Sequence, residues 1–205
     1  MPKSRPYQPL IFRLIHALHG CLVLASVTTG FWMYNTWDHR LVKLPLPEAE
    51  TNLLSIHHQI GEILTPFVAI FLLYSLVAGR RRLIQPKSIP QLAKPTKPAG
   101  QYALHRLVNT GLLGMLLLSM VSARQFGGAK ALIQGEWDNT WYNLHVFAWG
   151  SIVVLVCAHI MLALKVGGLP LVQSMIATQI RAKDQPAQWP QRLSTWYKSL
   201  LNKKE

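Results

Sequence analysis

His145 and His159 lie fourteen residues apart in the last long apolar stretch of a 205-residue chain. On an α-helix fourteen residues turn through about 1400°, roughly 40° short of four full turns, and rise about 21 Å. Both imidazoles therefore leave nearly the same face. Their separation covers most of a hydrocarbon core about 30 Å thick. One helix would carry one imidazole near each surface of a membrane, aimed in one direction. Two stacked haems in a helix bundle need that arrangement, because neutral imidazole is a normal axial ligand of haem iron.

The elements that must position these residues are membrane spans. Apolar residues make up 50% of the chain and charged ones 14%, and mean hydropathy is +0.20. Four stretches, 14–34, 53–77, 102–123 and 144–166, are each near the ~20 residues that a bilayer requires. In lipid each must be a helix, since its backbone polar groups have to be satisfied within the segment. The first span lacks a small-residue cleavage pattern and carries histidines, so it is expected to be kept. The expected architecture is an all-α four-helix transmembrane bundle over 1–168, followed by a tail over 169–205 lying on the membrane surface.

The net charge of +13 resembles a nucleic-acid signal until it is sorted by span. All but four of the 21 basic residues fall before span one, between spans two and three, after span four, or, as Arg106 and Lys165 do, in the adjoining ends of spans three and four. The four exceptions are Arg40, Lys43, Arg124 and Lys130. The positive-inside rule therefore places both termini in the cytoplasm. The surplus is a topology signal with some attraction to anionic lipid, and no nucleic-acid partner is expected.

The loop near 35–52 holds Pro45 and Pro47 and reads as irregular. The loop near 79–100 has four prolines and reads as an extended linker hugging the lipid. The loop near 124–143 begins with Gly127 and Gly128. Trp137 and Trp141, with Trp32, Trp37 and Trp149, read as an aromatic belt at the outer interface. In the tail, 171–180 and 193–201 could form amphipathic helices, with Trp189, Trp196 and Tyr197 resting on the inner surface. Cys21 and Cys157 sit inside spans and read as small packing residues. Without a Cys-x-x-Cys-His motif, any haem is b-type, held by protein ligands alone.

The in–out order fixes the depth of each histidine. The outer level holds His145 with His57 or His58. The inner level holds His159 with His16, His19 or His105. Histidines within spans are functional candidates, since an unpaired polar group there is costly.

Taken together, these residues resemble a family. Arg13-Leu-Ile-His16-Ala-Leu-His19 is similar to the Arg-x-x-His opening of bacterial cytochrome b561 proteins and of the di-haem cytochrome b subunits of formate dehydrogenases and hydrogenases. Ile56-His57-His58-Gln-Ile-Gly61 resembles their second-span motif, and His145-x13-His159 their fourth-span spacing. Ala17 stands where the family often has Trp. The resemblance covers the four spans and implies a di-haem bundle that passes electrons across a bacterial-type plasma membrane, or a photosynthetic internal one, to or from quinone. It implies His16 and His159 as ligands of an inner haem b, and His57 and His145 as ligands of an outer one.

His19, one turn from His16, is the rival inner ligand, or else a partner of a haem propionate or the backbone. His58, about 100° from His57, is the rival outer ligand. His105 is a candidate for propionates or quinone, and His39 for solvent. Arg13 and Arg106 flank the inner level, as propionate partners or as ordinary basic anchors. Glu62 is the one acid inside a span. It should face the bundle or be protonated, with structural hydrogen bonding or proton delivery to an outer quinone as its roles. Gly20, Gly61, Gly111, Gly114 and Gly150 would admit a flat macrocycle or close helix packing. Quinone could enter by His105 and Arg106 inside, the favoured portal, or by His58 and Glu62 outside.

Three functions are compatible with these features: a free-standing quinone-linked electron carrier, the membrane cytochrome b subunit of a larger dehydrogenase or hydrogenase, and a metal transporter. A transporter would gather its ligands with acids at one midplane site. Here they split into two levels, which favours the first two readings. The expected partners are lipid, the quinone pool and a redox protein, with a homodimer as a further candidate.

Overall fold

The computed structural model describes residues 7–125, 135, 138–191 and 194–195. Four helices are long and apolar enough to cross a membrane. They are α1 (Leu10–Met33), α2 (Asn52–Val77), α3 (Pro98–Gln125) and α4 (Thr140–Ile176). No strand occurs among the described residues. Each helix overruns its apolar stretch, because the helical backbone continues through the polar interface.

Residues from all four helices meet at one core: Val23 of α1, Leu64 and Val68 of α2, Leu116 of α3 and Ile152 of α4. A smaller cluster, Met33, Leu54 and Tyr142, closes the end of the bundle at which α1 finishes and α2 begins. That end is called far below, and the end that begins α1 is called near. The dominant pairings are α1 with α2 and α3 with α4, so the bundle is two antiparallel hairpins packed together.

The ends are built from specific groups. At the far end α1 runs on as a π-helical turn, Tyr34–Asp38, which His39 closes at φ 41°. Asp38, 5% exposed, accepts from Arg40 Nε at 2.5 Å, Arg40 Nη2 at 3.1 Å and Tyr142 Oη at 2.7 Å. The Asp38 carboxylate also pushes the Arg40 guanidinium pKa up. Asn139 caps α4 by accepting from the Trp141 amide at 2.9 Å. At the near end Asp184 accepts from Tyr7 Oη and from the Leu10 amide, each at 2.5 Å.

Several expectations change. The four-proline loop is not an extended linker. It forms short 3₁₀ turns at Arg80–Arg82 and Pro86–Ala93, and the second packs on α3. Gly100 makes this possible, since a Cβ there would overlap the Lys94 carbonyl. Of the tail helix expected over 171–180, the part up to Ile176 is helical, set off from the rest of α4 by a non-helical break at Gly168 (φ 64°). Trp149 has specific partners. It stacks between Phe31 and Tyr34, each 5.9 Å away, and donates to the Val27 carbonyl. Glu62 does not face the bundle but lies on the exposed side of α2. Gly127, Gly128, Lys130, Trp137, most of 193–201 (with Trp196 and Tyr197) and the tail's end fall outside the described residues.

Candidate functional site

At the far level, His57 of α2 faces His145 of α4, with ring centres 6.4 Å apart. The His145 Nδ1–H donates to the Ser119 carbonyl of α3 at 2.9 Å, with Ser122 Oγ 3.3 Å away. His57 Nδ1 lies 2.8 Å from Thr29 Oγ1. That hydroxyl donates its own proton to the Ala25 carbonyl at 2.8 Å, so it accepts from His57. In both rings the proton is held on Nδ1, and in His57 the Nε2 lone pair is thereby left as the acceptor. Gly30 permits the approach of α1, since a Cβ there would stand 3.2 Å from His57 Cε1. His58 is on the exposed face of α2, away from His145.

At the near level, His16 of α1 faces His159 of α4, with ring centres 6.1 Å apart. The His159 Nδ1–H donates to Asn109 Oδ1 of α3 at 2.8 Å, which again leaves Nε2 free. His19 turns away and stacks on Phe71, with centres 4.7 Å apart and planes 9° from parallel. His105 lies 5.3 Å from His159 with its Nε2 buried and without a partner.

These pairs fit b-type haem by dimension and by chemistry. A metal–imidazole bond of about 2 Å, plus about 1 Å from nitrogen to ring centre on each side, separates opposed axial rings by about 6 Å. Both observed separations match. Tying Nδ1–H to an oxygen acceptor is also how ligating histidines are held, because it fixes the tautomer and the ring plane. There is room as well. Gly20 and Gly61 each follow a histidine by four residues, His16 and His57, and so lie on the same face one turn on. A Cβ at either would meet nothing within 4 Å; the same is true at Gly114 and Gly150, but these lie on the exposed side of α3 and on the face of α4 turned from His145. Only Gly111 of the five singled out packs closely, against Leu155.

The two arginines expected beside propionates are engaged elsewhere. Arg13, 4% exposed, donates to the Ala177 and Gln179 carbonyls and so ties α1 to the chain beyond α4. Arg106 donates to Ser88 Oγ at 2.9 Å and holds the 3₁₀ turn on α3. The cation beside the near site is Arg82, which lies 4.1 Å over the Phe12 ring. Phe12 in turn stands 5.5 Å from His16. Reading the sequence assigned Arg82 only to the basic run. It also missed Thr29, Ser119 and Asn109. Asn109, an amide in an apolar span at the depth of His159, was the one with a visible signal. A cavity of about 860 Å³ between the far end of α1 and α4 contains none of the histidines. It lies along Phe147, Gly150 and Val154, on the face of α4 turned from His145.

A family model for prokaryotic cytochrome b561 matches residues 7–177, and the chain belongs to that family. Searches of curated proteins and of solved structures gave no match. The protein is therefore an integral protein of a bacterial membrane with a haem b electron-transfer role.

Proposed function

We propose that this cytochrome holds two b-type haems at separate depths and moves single electrons between a quinone and a redox protein partner. His57 and His145 hold the far haem, and His16 and His159 the near one. The observation that carries this reading is the repeated site. At each level two imidazoles from different helices stand about 6 Å apart. The α4 member of each pair has its Nδ1–H fixed by α3.

Bound there, the haems supply one-electron stations at two depths of the membrane. The residues do the holding. Thr29, Ser119 and Asn109 lock three of the four rings, so Nε2 would be the nitrogen that holds the iron. Two histidines per iron leave no open coordination position, which suits relay and not oxygen activation. His105 is the residue best suited to exchange a proton with quinol, because its buried Nε2 has no partner and it sits beside His159. Arg106, one residue on, is already committed to Ser88 and serves to position the loop there.

Pyridine haemochrome assay should give two haems per chain. His159→Ala should remove only the near haem, and His145→Ala only the far one. One haem in the native chain, or both retained in either variant, overturns the assignment. Quinol should cease to reduce the haems in His105→Ala with haem content kept, and should still reduce them in Glu62→Gln. Quinol reduction unimpaired in His105→Ala removes the near site.

A further inference from the structure

Arg80, Arg81 and Arg82 follow one another, yet only Arg82 is turned in. It is half-buried where its two neighbours are exposed. Its guanidinium lies 4.1 Å over the Phe12 ring. Phe12, itself buried, stands 5.5 Å from His16 and stacks on Tyr74. Those two distances leave at most about 10 Å between the charge and the His16 ring centre, a range over which a partly buried charge is still felt.

Neutral groups hold Arg82 in this place. Its Nη2 donates to Gln8 Oε1 at 2.9 Å, and its backbone N–H donates to the Gly79 carbonyl at 2.7 Å. Its carbonyl accepts from Asn109 Nδ2 at 3.0 Å. The other end of that amide, Asn109 Oδ1, accepts the His159 Nδ1–H. Two residues on, the Ile84 backbone N–H donates to Thr110 Oγ1 at 2.9 Å, so the chain is fixed to α3 at two successive positions. Among the described residues no carboxylate pairs with Arg82, whereas Arg40 at the far end is matched by Asp38. A fixed, unmatched cation thus stands beside the near pair of imidazoles. It is tied through Asn109 to one ring and through Phe12 to the other.

We propose that Arg82 raises the reduction potential of the near haem, acting on it through space as a positioned charge. This rests on a near haem held by His16 and His159. Taking up one electron lowers the charge at the iron by one unit, so a neighbouring cation favours the reduced form. A unit charge about 10 Å away, at an effective dielectric constant of about 20, shifts a one-electron equilibrium about tenfold, or about 59 mV. The same charge on the exposed Arg80 or Arg81 acts more weakly, because water and salt screen it. Electrons in the chain are thereby drawn towards the near level.

The test is a redox titration of the purified full chain, followed by haem absorbance. It is run in the native background and in His145→Ala, where the near haem gives the only wave. Arg82→Gln should lower that wave about tenfold in equilibrium constant, about 59 mV, and leave the far wave of the native background in place. Arg82→Lys, which keeps the charge, should restore most of the potential. Gln8→Glu leaves Arg82 and its backbone bonds intact but sets a carboxylate against the guanidinium, and it too should lower the near wave. Arg81→Gln removes the same charge from the exposed neighbour and should move the wave far less, by an amount that fades as salt is raised. A near wave unmoved in Arg82→Gln or in Gln8→Glu, moved as far by Arg81→Gln, or lowered as far in Arg82→Lys overturns the proposal while the haem count stands. Where Arg82→Gln does not retain the near haem, Gln8→Glu decides alone. A His145→Ala chain with no haem, or with two, overturns the two-haem reading itself, and this proposal with it.

Discussion

Asn109 illustrates how much one lone pair can decide. Its Oδ1 accepts the His159 Nδ1–H at 2.8 Å, which holds the proton on Nδ1 and leaves Nε2 as the nitrogen that would bind haem iron in the proposed site. Asn109→Leu keeps the volume and removes the acceptor. Outer-sphere partners of this kind are worth about 10–100-fold in metal affinity. The near haem should therefore be bound about 10–100-fold more weakly in Asn109→Leu, while Asn109→Asp, which keeps an acceptor, retains it. Haem titration of the apoprotein, with the far haem as internal reference, measures this; equal affinity in Asn109→Leu would show that the hydrogen bond plays no part in binding. The histidines themselves were legible in the sequence because imidazole inside a span is rare and needs a reason. Their holders were not. Ser, Thr and Asn in helices commonly bond their own backbone, as Thr29 and Ser122 also do here, so their types alone do not announce a second task. Arg82 was hidden differently, in a run whose charge already had an explanation in topology.

Helices position these side chains by what they omit as well as by what they carry. Gly61 lies one turn past His57, and a Cβ there would meet nothing. If that opening receives the macrocycle edge, Gly61→Leu should fill it, and haemochrome assay should find the far haem lost and the near one kept. Both haems retained in Gly61→Leu would make the opening irrelevant to binding. Gly100 is the contrary case, a close approach with no spare room. Its Cβ would collide with the backbone of Lys94, so Gly100→Ala must push the Pro86–Ala93 turn off α3. Overpacking of this kind costs about 1–3 kcal/mol, and thermal melting in detergent should show it as a lower midpoint without loss of helix content below the transition. The spans themselves were readable from length and hydropathy, and their order fixed the depth of each histidine. The proline-rich loop was not, because proline excludes long α-helix but is compatible with both an extended strand of chain and tight 3₁₀ turns. Packing against α3 made the choice. Glu62 was expected to face the bundle or be protonated, because a bare carboxylate inside a span is costly; it lies instead on the exposed side of α2.

The whole molecule has two unlike ends. The described chain begins and returns at one of them, where Tyr7 and Leu10 meet Asp184 and Arg13 reaches the Ala177 and Gln179 carbonyls. By sequence order all but four of the 21 basic residues belong to the segments that open α1, join α2 to α3 or close α4. Of those four, Arg40, Lys43 and Arg124 stand at the opposite end, and Arg40 is tied to the Asp38 carboxylate. Orientation follows Lys and Arg in short loops near the spans, and acids count little. By that rule Arg80, Arg81 and Arg82 directly after α2 and Arg106 in the first turns of α3 are expected to hold the near end in the cytoplasm. That orientation would put His16, His159 and His105 towards the cytoplasm and His57 and His145 towards the outside. A fluorescent reporter that matures only in the cytoplasm should light when fused after Glu205. A cysteine replacing Lys43, in a chain without Cys21 and Cys157, should react with a membrane-impermeant maleimide added to intact cells. A cysteine replacing Lys87 should react only after the cells are opened. The reverse labelling pattern would invert the assignment of levels to membrane faces and move the proposed quinol site to the outside. The two histidine pairs would keep their geometry in either case, since their separation along α4 belongs to the helix and not to its direction.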